Sequence, residues 1–167
     1  MMSNLGWCSY YFAGKIDLAY KTTLEAVRIA EESGDIFSKP MPYAQHGASC
    51  YGKGLLKEAE KYLLMGVEAC EKINVYGFNA YARLHLGEIY FETGDYSKSI
   101  EYYEKASWLF RYFPSWSNLG KVGVARSQVM TNDKNFNLES LYAYSQNNKV
   151  NAAEGWFQRY IGEILLH

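Results

Sequence analysis

The chain repeats itself. Laid against itself at a shift of forty residues, it brings Gly14, Gly54 and Gly94 into one column. Ala19, Ala59 and Ser99 share a second column, and Ala26, Gly66 and Ala106 a third. Tyr10, Cys50 and Tyr90 form a fourth, beside Tyr11, Tyr51 and Phe91 in a fifth. A fixed period of this length marks a supersecondary unit that buries its apolar face only by stacking on its neighbours. A fourth copy is weaker. Phe136 falls in register with Tyr96, no glycine matches Gly94, and Asn132-Asp133 is the nearest pair able to turn the chain.

Each copy reads as two helices. In the third, the stretch from Ala82 to Phe91 places apolar groups at helical spacing, and Gly94 stops it with a residue free to enter the left-handed region. Asp95 then caps a second helix from Tyr96 to about Phe110, and Pro114 punctuates the exit. The second copy runs the same way, with a helix from Tyr43 to Tyr51, a turn at Gly52-Lys53-Gly54 and a helix from Leu56 to Cys70. The small residues at Ala26, Gly66 and Ala106 are explained by the crossing of the two helices, whose axes approach to about 8–10 Å only where bulky side chains are absent.

These residues resemble the tetratricopeptide repeat family. The third copy carries the best match, in Leu86-Gly87-Glu88-Ile89-Tyr90, then Gly94-Asp95-Tyr96, Ser99, Tyr103 and Ala106, with Pro114 a little late. The second keeps Gly47, Gly54, Ala59 and Gly66 but has His46 for leucine and Cys50 for tyrosine, and in the first Trp7 occupies the glycine place. The period of forty exceeds the roughly 34 residues typical of the family and is similar to the extended repeats of large multidomain bacterial regulators. The resemblance implies an all-α, right-handed superhelix of about four hairpins over residues 3–38, 40–75, 79–113 and 115–148, with a terminal helix over 150–167. Ile161-Gly162-Glu163-Ile164-Leu165 echoes the start of a further repeat, so the expectation is a single repeat domain cut from a longer protein.

Composition narrows the partner class. Lys plus Arg number 17 against 18 Asp plus Glu, so no basic excess is present to displace counterions from a phosphate backbone, and nucleic acid is not expected as a partner. No apolar run approaches the roughly 20 residues that span a bilayer, and the N-terminus lacks a secretory pattern, so the expected location is cytoplasmic without membrane association. Cys8, Cys50 and Cys70 show no CxxC spacing and read as packing thiols. His46 and His85 on successive first helices lack evident further ligands and read as partly buried structural residues, so neither metal nor cofactor is expected. Phosphate cradles and catalytic signatures are absent, which argues against an enzyme.

In the family a partner segment lies along the concave face lined by first helices. Carried over, the partner-binding residues are Tyr11, Phe12, Tyr51, Tyr81, Leu84, Glu88, Phe91 and Gln128, flanked by Asn4, Cys8, Ala44, Ala48 and Val124. Tyr11, Tyr51 and Phe91 would form a ladder of rings; the competing reading is that they pack between hairpins. The expected function is a scaffold or sensor module that binds a protein or peptide, a segment of the parent chain included. Two alternatives stand beside it, with an RNA-binding helical repeat a third that the lack of a basic stripe opposes. One is self-association through exposed Ile164-Leu165-Leu166. The other is effector sensing as the repeat segment of a multidomain bacterial ATPase, nucleotide cyclase or transcriptional regulator.

Overall fold

The computed structural model describes residues 5–167, with the backbone alone at Leu5, Trp7 and Cys8. Asn4 and the side chains of Trp7 and Cys8 therefore lie outside the described residues. Among those residues the fold is all-α, as the period implies. A π-helical segment, Leu5–Tyr11, is followed by α1 (Ile16–Glu32), a 3-10 turn at Ile36–Ser38, α2 (Pro40–Gly52), α3 (Leu56–Lys72) and α4 (Tyr76–Glu92). Next come α5 (Tyr96–Leu109), α6 (Pro114–Val129), α7 (Leu138–Gln146) and α8 (Asn151–Leu165). No helix is long and apolar enough to cross a membrane. The chain divides into two compact units, Met1–Leu86 and Gly87–His167.

The turns repeat as the columns do. Gly14, Gly54 and Gly94 have φ of 71°, 76° and 82°, where a Cβ would be strained. Their amides donate to the carbonyls of Tyr11, Tyr51 and Phe91 at 3.0, 2.8 and 3.1 Å. The next amides, of Lys15, Leu55 and Asp95, donate to Tyr10, Cys50 and Tyr90 at 2.8, 3.0 and 2.9 Å. So the last carbonyls of each first helix are satisfied in the same way three times. The Asp95 side chain accepts from the Lys98 amide, the cap expected there. Asn132 takes the turn in the fourth copy at φ 60°. A second series, unnoticed in the sequence, closes the hairpins at Gly34 (φ 68°) and Asn74 (φ 55°). Pro40 and Pro114 stand at the openings of α2 and α6, where a missing amide proton costs nothing.

In the first unit α2 packs against both α1 and α3, and α1 also packs on the π-helical segment. Being wrapped on several sides, α2 is buried without interruption from Pro42 to Cys50, whereas α1 and α3 bury one stripe each. Small residues set the spacing. A Cβ added at Gly66 would lie 3.0 Å from the Ala44 amide nitrogen and 3.2 Å from its Cα, so α2 and α3 touch backbone to side. A Cβ at Gly47 would lie 2.6 Å from Leu63 Cγ. The glycine that approaches Thr23 of α1 is Gly6, not the in-register Trp7. It lies in the π-helical segment, whose wider turn shifts the side-chain register.

In the second unit α6 is the central element, packed on α5, α7 and α8. Tyr103 of α5 fits between two glycines: a Cβ at Gly87 would come to 2.9 Å of its ring and one at Gly123 to 2.7 Å. Ser99, in the small-residue column, donates to the Gly87 carbonyl at 2.8 Å and pairs with Ser127 at 2.9 Å.

Candidate functional site

The first-helix residues singled out in the sequence divide by burial. In the first unit Tyr11, Phe12 and Tyr51 are half-buried, while Tyr81 and Leu84 are buried at 5% and 1% exposure. Tyr11, Tyr51 and Tyr81 surround a fully buried His85. Its Nδ1 lies 3.2 Å from the Tyr81 carbonyl, which can only accept, so Nδ1 carries the proton. Nε2 then accepts from the Tyr11 hydroxyl at 3.3 Å. The Tyr51 and Tyr81 rings stand 6.0 and 4.5 Å from the imidazole, and Phe12 meets Tyr11 edge-on at 5.4 Å. Of the half-buried rings, Tyr11 is thus tied to a polar anchor, Tyr51 packs on that anchor and Phe12 packs on Tyr11. Both histidines are more deeply buried than the sequence reading had them, at 0% exposure.

In the second unit Glu88 does not face outward. At 1% exposure its carboxylate accepts from Arg126 at 2.9 Å and from Arg159, Tyr103 and Tyr160. Burial alone would raise its pKa. The guanidiniums of Arg159 and Arg126, with the two phenol hydroxyls, outweigh that and hold it below its ordinary value. Arg126 is itself sandwiched, with its guanidinium carbon 3.4 Å from the centre of the Phe91 ring and 4.6 Å from that of Tyr160. Phe91 is half-buried under this stack, and Gln128 donates to Asp133 at 3.1 Å. Glu88 is therefore an internal ion-pair centre, with both oxygens already engaged.

The second unit also carries a patch that sequence spacing did not single out. Trp108, Tyr112 and Phe113, at the α5–α6 turn, are 61%, 79% and 60% exposed. Arg111 stands between two of them, its guanidinium carbon 4.1 Å from the Trp108 ring centre and 4.7 Å from that of Tyr112. At the C-terminal end Leu165 and Leu166 are exposed, but Ile164 is buried at 5%, so the expected exposed triplet reduces to two residues.

A third cluster is not legible in the sequence because its members come from two helices, α2 and α3. Four residues along α2 from His46 stands Cys50, on the same face, and Glu58 reaches in from the first turn of α3. His46 Nε2 lies 3.6 Å from Cys50 Sγ and 3.8 Å from Glu58 Oε1. All three donor atoms fall within 4.8 Å of one another. His46 and Cys50 are fully buried, and the Glu58 side chain is 35% exposed. Burial pulls the imidazole pKa down to about 4, against the pull of Glu58, and pushes the Cys50 thiol up to about 12. Thr23 Oγ1 sits 3.0 Å from His46 Nδ1, and the Tyr20 hydroxyl donates to Glu58 Oε1 at 3.2 Å.

The chain matches no protein-family model, and no curated protein matches it in sequence.

Proposed function

We propose that the chain is a helical-repeat interaction module of tetratricopeptide type, which takes up an extended or helical segment of a partner protein. The observation that carries this reading is the half-buried ring set of the first unit. Tyr11 is hydrogen-bonded to His85, Tyr51 packs edge-on against the same imidazole and Phe12 packs edge-on against Tyr11, so the three offer large amphipathic surface that loses little further freedom on binding. Glu88 contributes by holding the second unit together rather than by touching a partner. A second reading rests on the exposed Trp108-Arg111-Tyr112-Phe113 patch. Trp, Tyr and Arg are the residue types that dominate binding energy at interfaces.

Selection of a random peptide display library against the folded chain tests both. Peptides that lose at least tenfold in affinity for Phe12→Ala or Tyr51→Ala, but bind Trp108→Ala normally, support the first. The converse pattern moves the docking face to the α5–α6 turn. Failure to enrich any sequence, or peptides indifferent to all three variants, defeats the proposal.

A further inference from the structure

We propose that His46, Cys50 and Glu58 form a binding site for a divalent cation of zinc's chemistry, clamping α2 to α3. An imidazole nitrogen, a thiolate sulfur and a carboxylate oxygen together form a donor set that suits zinc and disfavours magnesium or calcium, which take oxygen ligands. With metal–nitrogen and metal–sulfur bonds of about 2.0 and 2.3 Å at a tetrahedral angle, the two donor atoms stand about 3.5 Å apart. His46 Nε2 and Cys50 Sγ are already at 3.6 Å. The Nε2–Oε1 separation of 3.8 Å is longer than the tetrahedral edge, and the adjustment falls on Glu58, the one partly exposed member.

The surroundings prepare the ligands. Thr23 Oγ1 has one proton, which it gives to the Ala19 carbonyl at 2.8 Å along its own helix. Toward His46 it therefore accepts, so the imidazole proton sits on Nδ1 and the Nε2 lone pair points at Cys50 and Glu58. A hydrogen bond from the non-ligating ring nitrogen is the usual outer support of a metal-bound histidine, and Tyr20 gives Glu58 the corresponding support. Charge also balances: a dication, a thiolate, a carboxylate and a neutral imidazole sum to zero, as a buried site requires. The nearby cation, Lys53, is held by Asp17 at 2.5 Å. On binding, the metal–sulfur bond forms as the S–H bond breaks, and one proton leaves for solvent. Three protein ligands leave a fourth position for water, reached past the exposed edge of Glu58.

The probe is cobalt(II), added to the full chain under reducing, oxygen-free conditions. The expected result is one equivalent bound, with visible bands of a four-coordinate ion, a near-ultraviolet thiolate-to-cobalt band, release of one proton, and displacement by zinc. Zinc should also raise the melting temperature. Cys50→Ala should abolish the near-ultraviolet band, while Cys8→Ala and Cys70→Ala keep it. Glu58→Gln, at the partly exposed position, should fold and bind at least tenfold more weakly, which keeps the test decisive if Cys50→Ala does not fold. Absence of the thiolate band in the native chain overturns the proposal. So does its persistence in Cys50→Ala, its loss in Cys8→Ala, or unchanged affinity in Glu58→Gln. In the first two cases the 3.6 Å contact is only a thiol hydrogen bond; in the last two the ligand set is not the one proposed. Peptide binding by the ring set is independent of these outcomes.

Discussion

At the scale of single residues, glycine serves two distinct purposes in this chain and neither at a third kind of position, and substitution separates them. Gly66 is needed for space, since any side chain there meets the Ala44 backbone, which cannot rotate away. Gly66→Leu is expected to destabilise by about 1–3 kcal/mol through overpacking, read as a lower midpoint in chemical denaturation. Gly54, at φ 76° with open space around it, is needed for its conformation. Gly54→Ala should cost about 1 kcal/mol from backbone strain alone. Gly155 lies inside α8, where an added Cβ would meet no neighbouring element within 4 Å, so Gly155→Ala should stabilise by roughly 0.5–1 kcal/mol. An unchanged midpoint for Gly66→Leu would mean that the helix crossing is placed wrongly, and one for Gly54→Ala that the turn does not hold its left-handed conformation. The turn and spacing glycines were legible in the sequence because each occupies a column of like residues. The column Thr23, Leu63 and Tyr103 was not, because its members differ in kind. What they share is a glycine opposite, at Gly6, Gly47 and Gly87, so what repeats is the gap that the glycine leaves at the helix crossing, and side chains of different size fill it.

At the scale of elements, first helices are central and second helices peripheral, and this decides where polar groups end up. Glu88 sits at helical spacing from Leu84 and Phe91, which placed it on an outward face by pattern. The fold surrounds that position with Arg126 and Tyr103 of two neighbouring helices and with Arg159 and Tyr160 of α8. Sequence periodicity does not reveal such a partner set, because its members lie as far as 72 residues away. Glu88→Gln removes the carboxylate and leaves buried Arg126 with only the more exposed Glu163 and Glu92. The expected loss is about 3 kcal/mol, measured by urea denaturation near neutral pH. The pH dependence has a definite sign. The folded pKa of Glu88 lies below the ordinary 4.5, so the unfolded chain binds the proton first as pH falls. Its stabilisation is complete above about pH 4.5 and is lost as pH drops through the folded value. The gap between native and Glu88→Gln midpoints should therefore narrow on acidification below that point. A gap that is constant with pH would show that the carboxylate charge is not what holds these helices.

For the molecule as a whole, charge is nearly balanced and apolar surface is not fully covered. With 17 basic and 18 acidic side chains the net charge is −1 at neutral pH, so little long-range repulsion keeps copies apart. Exposed i,i+3 and i,i+4 pairs such as Arg28–Glu25, Lys72–Glu68 and Lys98–Asp95 tie up cations locally and, screened by solvent, add little to stability. Against that weak field stand two apolar features, the rings of Trp108, Tyr112 and Phe113 and the pair Leu165 and Leu166. Apolar surface gathered into a patch, unlike single scattered residues, is a contact in waiting. Light scattering coupled to size exclusion is therefore expected to show an apparent mass that climbs with protein concentration. Adding salt should strengthen the effect, since salt screens what repulsion exists while leaving hydrophobic contact intact. A single charge placed in the responsible feature should suppress it. If Tyr112→Lys does so and Leu166→Lys does not, copies meet through the same aromatic patch that the peptide selection probes, and self-association competes with partner binding. If Leu166→Lys alone restores a constant mass, the C-terminal leucines form the contact and the aromatic patch stays open to a partner. A mass independent of concentration in the native chain would defeat the self-association reading and leave both the aromatic patch and the half-buried rings around His85 open to a partner.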